Sequence, residues 1–157
     1  MLQCKTDIKS QVLAVVANNS ENAGAPSLIT AAGTGDATKV TGQSIDLLGK
    51  TSGGSGILVV SGVAALTAAK TLSIAVELQE SSDNSSWDTA EVVEAATVVA
   101  SATGNNQFVR SYGILLKSRK RYIRFNVTPD LSHSGTDTAT FSSCLVIAGD
   151  DVLPAAA

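Results

Sequence analysis

The only histidine of the chain, His133, sits in Ser132-His133-Ser134-Gly135, with Asp130 and Asp137 close by in sequence. A nucleophilic serine needs a base such as histidine, and the histidine needs a carboxylate to orient it. The residue types are present, but nothing in their spacing forces that geometry, and a plain polar loop accounts for them. Two cysteines, Cys4 and Cys144, and one histidine spread along the chain do not make a zinc cluster. Asp83, Asn84 and Asp88 suggest a calcium loop, yet the spacing lacks the glycine and the distal glutamate of an EF-hand. A turn that uses Asx side chains explains them better. The glycine-rich pieces Gly33-Thr34-Gly35 and Gly53-Gly54-Ser55-Gly56 do not lead into Gly-Lys-Ser/Thr, so they are not phosphate loops. No cofactor is expected, no metal, and no enzymatic activity.

Charge is the next candidate for chemistry. Glu77, Glu80, Asp83, Asp88, Glu91 and Glu94 form a run with no lysine or arginine among them. Six of the 11 basic residues follow between 110 and 124: Arg110, Lys117, Arg119, Lys120, Arg121 and Arg124. Two readings stay open. The groups are solvated or pair across strands within one chain. Alternatively, opposite faces meet head-to-tail between subunits and close a ring, with Glu77, Glu80, Arg119, Lys120 and Arg121 as contact residues. The basic stretch with Tyr112, Tyr122 and Phe125 could be a nucleic-acid platform. Phe125 falls on the expected core face, however, and the net charge of −3 argues against nucleic acid.

These residues must be positioned by strands. Leu72, Ile74, Val76 and Leu78 alternate with Ser73, Ala75, Glu77 and Gln79, the period of a half-buried strand. Residues 81–86 are turn chemistry, and Trp87, the only tryptophan, is expected to fold back on the sheet. Further strands are expected at 11–17, 44–48, 57–63, 107–117, 121–128 and 138–148. Residues 57–63 read as buried on both faces, and 64–69 as either a helical turn or a loop. Residues 91–102 mix helix and strand signals; the regular spacing of their neighbours favours strand. Residues 118–120 read as a hairpin turn, Pro129 as the end of its strand, and 26–43 as a long irregular connection.

The composition fits this. Hydrophobic residues make up 44% but aromatics only 4% and charged residues 16%, which suits thin sheets packed by small and β-branched side chains. A surface so poor in charge is cheap to desolvate, so burial against partners is expected. No apolar run reaches the roughly 20 residues of a membrane helix, and no secretion signal is legible. Two unpaired thiols are favoured over a Cys4–Cys144 disulfide. The expectation is one all-β domain: an antiparallel β-sandwich of about eight strands, with a jelly roll the best architecture. Residues 1–55 form an arm and loop-rich part, 56–150 the sandwich core and 151–157 a tail.

Leu78-Gln79 at the end of one strand, the turn Ser82-Asp83-Asn84-Ser85-Ser86-Trp87, and the later Arg121-Tyr122-Ile123-Arg124 together resemble the capsid cement (decoration) proteins of tailed bacteriophages. The likeness covers roughly residues 56–150. It implies a jelly-roll virion protein on the capsid exterior, with the major capsid protein and copies of itself as partners, commonly as a homotrimer. Cement would stabilise contacts between capsomers by added interface. A tail-tube or other virion subunit is the main alternative, and a carbohydrate-binding β-sandwich module the next. Neither nucleic acid nor membrane is an expected partner.

Overall fold

The computed structural model describes residues 12–17, 27–48, 54–132 and 135–148. The described residues form ten strands. They are β1 (Val12–Val16), β2 (Ser27–Thr30), β3 (Val40–Thr41), β4 (Ile45–Asp46) and β5 (Ser55–Leu66). The second half contributes β6 (Leu72–Ser81), β7 (Glu91–Ala100), β8 (Gly104–Leu115), β9 (Tyr122–Leu131) and β10 (Thr138–Ala148).

The pairing is nested. β6 pairs with β7, β5 with β8, β3 and β4 with β9, and β1 and β2 with β10, all antiparallel. The chain is thus one long hairpin rolled up on itself. Rolling adds β5 beside β10 and β6 beside β9. Sheet A runs β1-β10-β5-β8, with β2 also on β10; sheet B runs β3-β9-β6-β7, with β4 also on β9. This is a jelly roll. The eight expected strands are its eight positions, since β1 and β2 share one edge of β10 and β3 and β4 share one edge of β9. The stretch 1–55, read as arm and loops, therefore contains both of these edges.

Each sheet turns one side inward. In β6, Leu72, Ile74, Val76 and Leu78 are all buried, as their alternation requires. They pack with Ile123, Phe125 and Val127 of β9 and, from sheet A, Leu58, Val60, Phe108, Phe141 and Leu145. In the row Phe141–Gly62–Phe108, Gly62 stands between two rings. A Cβ there would lie 2.2 Å from the Thr140 carbonyl oxygen and 2.8 Å from Phe108 Cζ, so only glycine fits.

Several expectations are corrected. β8 and β9 are not a hairpin. β8 pairs with β5 and β9 with β6, in different sheets. Their connection crosses the end of the sandwich and is held there by buried Leu116 and by the Leu47 N–H donating to the Arg121 carbonyl, 2.8 Å. Pro129 does not end its strand but sits opposite Ile74 inside β9. On the other edge of β9 the β3 ladder reaches only Asn126 and Val127, so the missing N–H of Pro129 costs no pairing there. β5 is not buried on both faces. Ile57 is 50% exposed and Val63 38%, because no layer covers sheet A from outside among the described residues. The stretch 26–43 contains β2 and β3, and 64–66 continue β5 until Ala69 turns the chain at φ 60°. The ambiguous 91–102 segment is strand β7, over Glu91–Ala100.

Candidate functional site

The outer side of sheet B is polar and self-paired. Gln79 of β6 accepts at Oε1 from Arg124 Nε (3.0 Å), Arg124 Nη2 (2.8 Å) and Asn126 Nδ2 (3.0 Å). The Gln79 amide in turn donates to the Asp88 carbonyl, 2.9 Å. The Arg124 guanidinium lies over the Trp87 ring, 4.1 Å from its centroid. Burial there pulls the Arg124 pKa below its ordinary value.

Trp87 is delivered by a loop that satisfies itself. Asp83 Oδ1 accepts from the Ser85 and Ser86 N–H groups (2.9 and 2.8 Å) and from the Ser81 hydroxyl, 2.9 Å. Those bonds, the Ser86 N–H foremost, hold the Asp83 carboxyl well below the usual carboxylate range. Asn84 takes φ 63° and accepts from Ser44. The Asx-turn reading of this segment accounts for its geometry.

Several of the charged residues pair within the chain. Arg119 Nη1 lies 2.6 Å from Glu80 Oε1, and the same guanidinium grips Glu91 with both Nη groups. Its Nε donates to the Leu115 carbonyl, 2.9 Å. The bond to Arg119 lowers the Glu91 pKa, and the bond from Glu91 raises that of Arg119. The Lys120 N–H donates to Glu80 Oε2 (2.7 Å), and its ammonium reaches Asp88, 2.7 Å. Arg121 pairs with Asp46 of β4 at 2.8 Å, and Glu77 with Lys39. Of the five candidate contact residues, Glu80, Arg119 and Lys120 share one cluster, which ties the β8–β9 crossover to β6 and β7. Glu77 and Arg121 stand apart from it.

His133 and Cys4 lie outside the described residues. Asp137 is buried, and its Oδ1 accepts from the Thr67 N–H, 3.0 Å, at a strand corner. Cys144 is half-buried on β10. Among the described residues no three His, Cys, Asp or Glu side chains gather in a metal-binding group.

The outer side of sheet A is the opposite in character, and sequence reasoning missed it. Across β10, β5 and β8 its rows read Val146–Ile57–Gly113, Cys144–Val59–Ser111, Ser142–Ser61–Val109 and Thr140–Val63–Gln107. None of these twelve residues carries a charge. Val109 and Leu115 are each 62% exposed. A shallow depression lies among Ser61, Val63, Val109, Thr140 and Ser142. The signal was present as alternate uncharged positions in three strands. It becomes a face only when the sheet order sets those strands side by side.

The fold has known counterparts. A structure of infectious bursal disease virus, Gx strain, superposes with a TM-score of 0.50 at 12% identity, over 90% of this chain and 34% of that one. The VP2 subviral particle of the same virus gives 0.50 at 12% identity, over 91% and 34%. The likeness is one of fold. The chain spans about a third of the length of these virus proteins. A CBM22 xylan-binding domain of Paenibacillus barcinonensis Xyn10C gives a TM-score of 0.42 at 12% identity, over 86% of this chain and 81% of that one. No family model and no curated protein matches the sequence.

Proposed function

We propose that this chain is a non-catalytic structural protein of a virion. It binds the outer surface of a bacteriophage capsid as a cement (decoration) subunit, with the major capsid protein as its partner. The observation that carries this reading is the uncharged outer face of sheet A. A broad face of Ser, Thr, Val and Ile is cheap to desolvate against another protein. The resemblance at Gln79, Trp87 and Arg124 adds support, since the quoted segments converge into one stack. Bound copies would stabilise the assembled shell by mass action.

The carbohydrate-binding alternative lacks a ring platform. Phe108, Phe125 and Phe141 are buried, and Tyr112 packs against the core. Trp87 and Tyr122 each carry an arginine on the ring, Arg124 at 4.1 Å and Arg121 at 4.9 Å.

The test is co-sedimentation with stripped, expanded shells of the parent phage. The chain should rebind and raise the temperature at which the shells open. Val63→Asp with Val109→Asp should abolish rebinding while the free protein keeps its unfolding midpoint. Failure of the unmodified chain to sediment with shells overturns the reading, and a glycan array then follows.

A further inference from the structure

Two long strands lie next to each other at the open side of the sandwich: β8 ends sheet A and β7 ends sheet B. They are not alike. The β6–β7 ladder slips three times, and Thr97 Oγ1 donates to the Ala95 carbonyl, 2.9 Å, which occupies a β7 backbone acceptor. Bulges of this kind blunt an edge against strand addition. β8 is the more regular edge, although Arg110 Nη1 donates to the Val109 carbonyl (3.2 Å) and Arg119 Nε to the Leu115 carbonyl (2.9 Å). Its twelve residues pair with β5 without a slip, it contains neither Pro nor Lys, and no described strand pairs with its other edge. A long regular edge is a template for another strand.

We propose that β8 pairs with β8 of a second copy of this chain, antiparallel about a twofold axis at Ser111, joining the two A sheets into one. The register rests on the strand geometry alone, and the choice of a second copy as occupant rests also on the shell-binding reading. In an antiparallel pair of identical strands, twofold symmetry makes one residue face its own copy. Arg110, the only charge on β8, cannot be that residue. With Ser111 on the axis, Arg110 faces the partner's Tyr112, a guanidinium against an aromatic ring. Phe108 then faces the partner's Ile114, apolar against apolar. A centre at Val109 would instead set Arg110 against the partner's Phe108 and leave Ile114 opposite the partner's Gly104.

Size favours a second copy as the occupant. The uncharged rows across β10, β5 and β8, three strands about 4.8 Å apart and about 36 Å long, present roughly 500 Å², below the ~800 Å² per partner of a standard interface. Two joined copies exceed it and keep the outer face free of charge throughout.

The experiment is solution mass across a concentration series, followed by a register test. The expected mass is twice the 15.9 kDa of the chain. Ser111→Glu and Ser111→Lys should each lose the dimer, because the axis sets like charges face to face, and mixing the two should restore it. In a Cys4→Ser, Cys144→Ser background, Ser111→Cys should form an intermolecular disulfide under mild oxidant, since directly opposed residues have the required spacing. Thr140→Cys, on β10 two strands from β8, should not. A monomer at every concentration overturns the proposal. So does any oligomer that survives Ser111→Glu, including the trimer the family resemblance implies.

Discussion

The Arg124 guanidinium lies 4.1 Å from the centroid of the Trp87 ring, although the two are 37 positions apart in the chain. The contact pins the loop after β6 onto the outer side of sheet B. Arg124→Ala removes the stack and two of the three donors to Gln79 Oε1. It should cost about 1–2 kcal/mol in urea unfolding followed by Trp87 fluorescence. Arg124→Lys should recover less than half of that, because an ammonium cannot both stack and donate twice to one amide oxygen.

Gly62 sits where a Cβ would meet the Thr140 carbonyl oxygen and the Phe108 ring. Gly62→Ala should destabilise by about 1–3 kcal/mol. The loss should shrink when Phe108→Leu is combined with it, since that change withdraws the ring. Thermal melts of the two single variants and the double variant decide this.

Asp36 closes two backbone groups at once. Its Oδ1 accepts from the Leu131 N–H at the end of β9 (2.8 Å), and its Oδ2 from the Ala32 N–H, 2.6 Å. Asp36→Ala leaves both donors without this partner and should cost about 1–3 kcal/mol. Hydrogen exchange should accelerate at Leu131 and Ala32 before it does in β6.

Acid should weaken the fold through Glu91 and Asp83. Both have folded pKa values below their ordinary ones, Glu91 through Arg119 and Asp83 through the Ser86 and Ser85 N–H groups. Groups lowered in this way stabilise the fold fully above their unfolded values. The contribution fades as pH falls through the folded ones. Wild type should therefore be more stable than Asp83→Asn at neutral pH, and the two stability curves should converge as the solution becomes strongly acidic. Parallel curves across the whole range would contradict the assignment.

Much of the architecture is legible in the sequence, because a strand with one buried side must alternate. Leu72 to Leu78 and the inward Ile123, Phe125 and Val127 could be assigned from that period, and the segment at 91–102 from the regular spacing of its neighbours. Local chemistry fixed the Asp83 turn as well, since Asp and Ser side chains bond to backbone only a few residues away. Partner choice between strands is not local. The connection at 118–120 has the look of a hairpin, but Leu116 and Arg119 find better burial and better partners across the end of the sandwich. The same limit hid the candidate surface. Ile57, Val109 and Cys144 are unremarkable as single uncharged residues far apart in the chain. Only the order β10-β5-β8 places them on one side of one sheet. The sequence by itself determined that strands form and which side of most of them is apolar. The tertiary structure alone decided which strands are neighbours, because that choice depends on closing one core from residues distant along the chain.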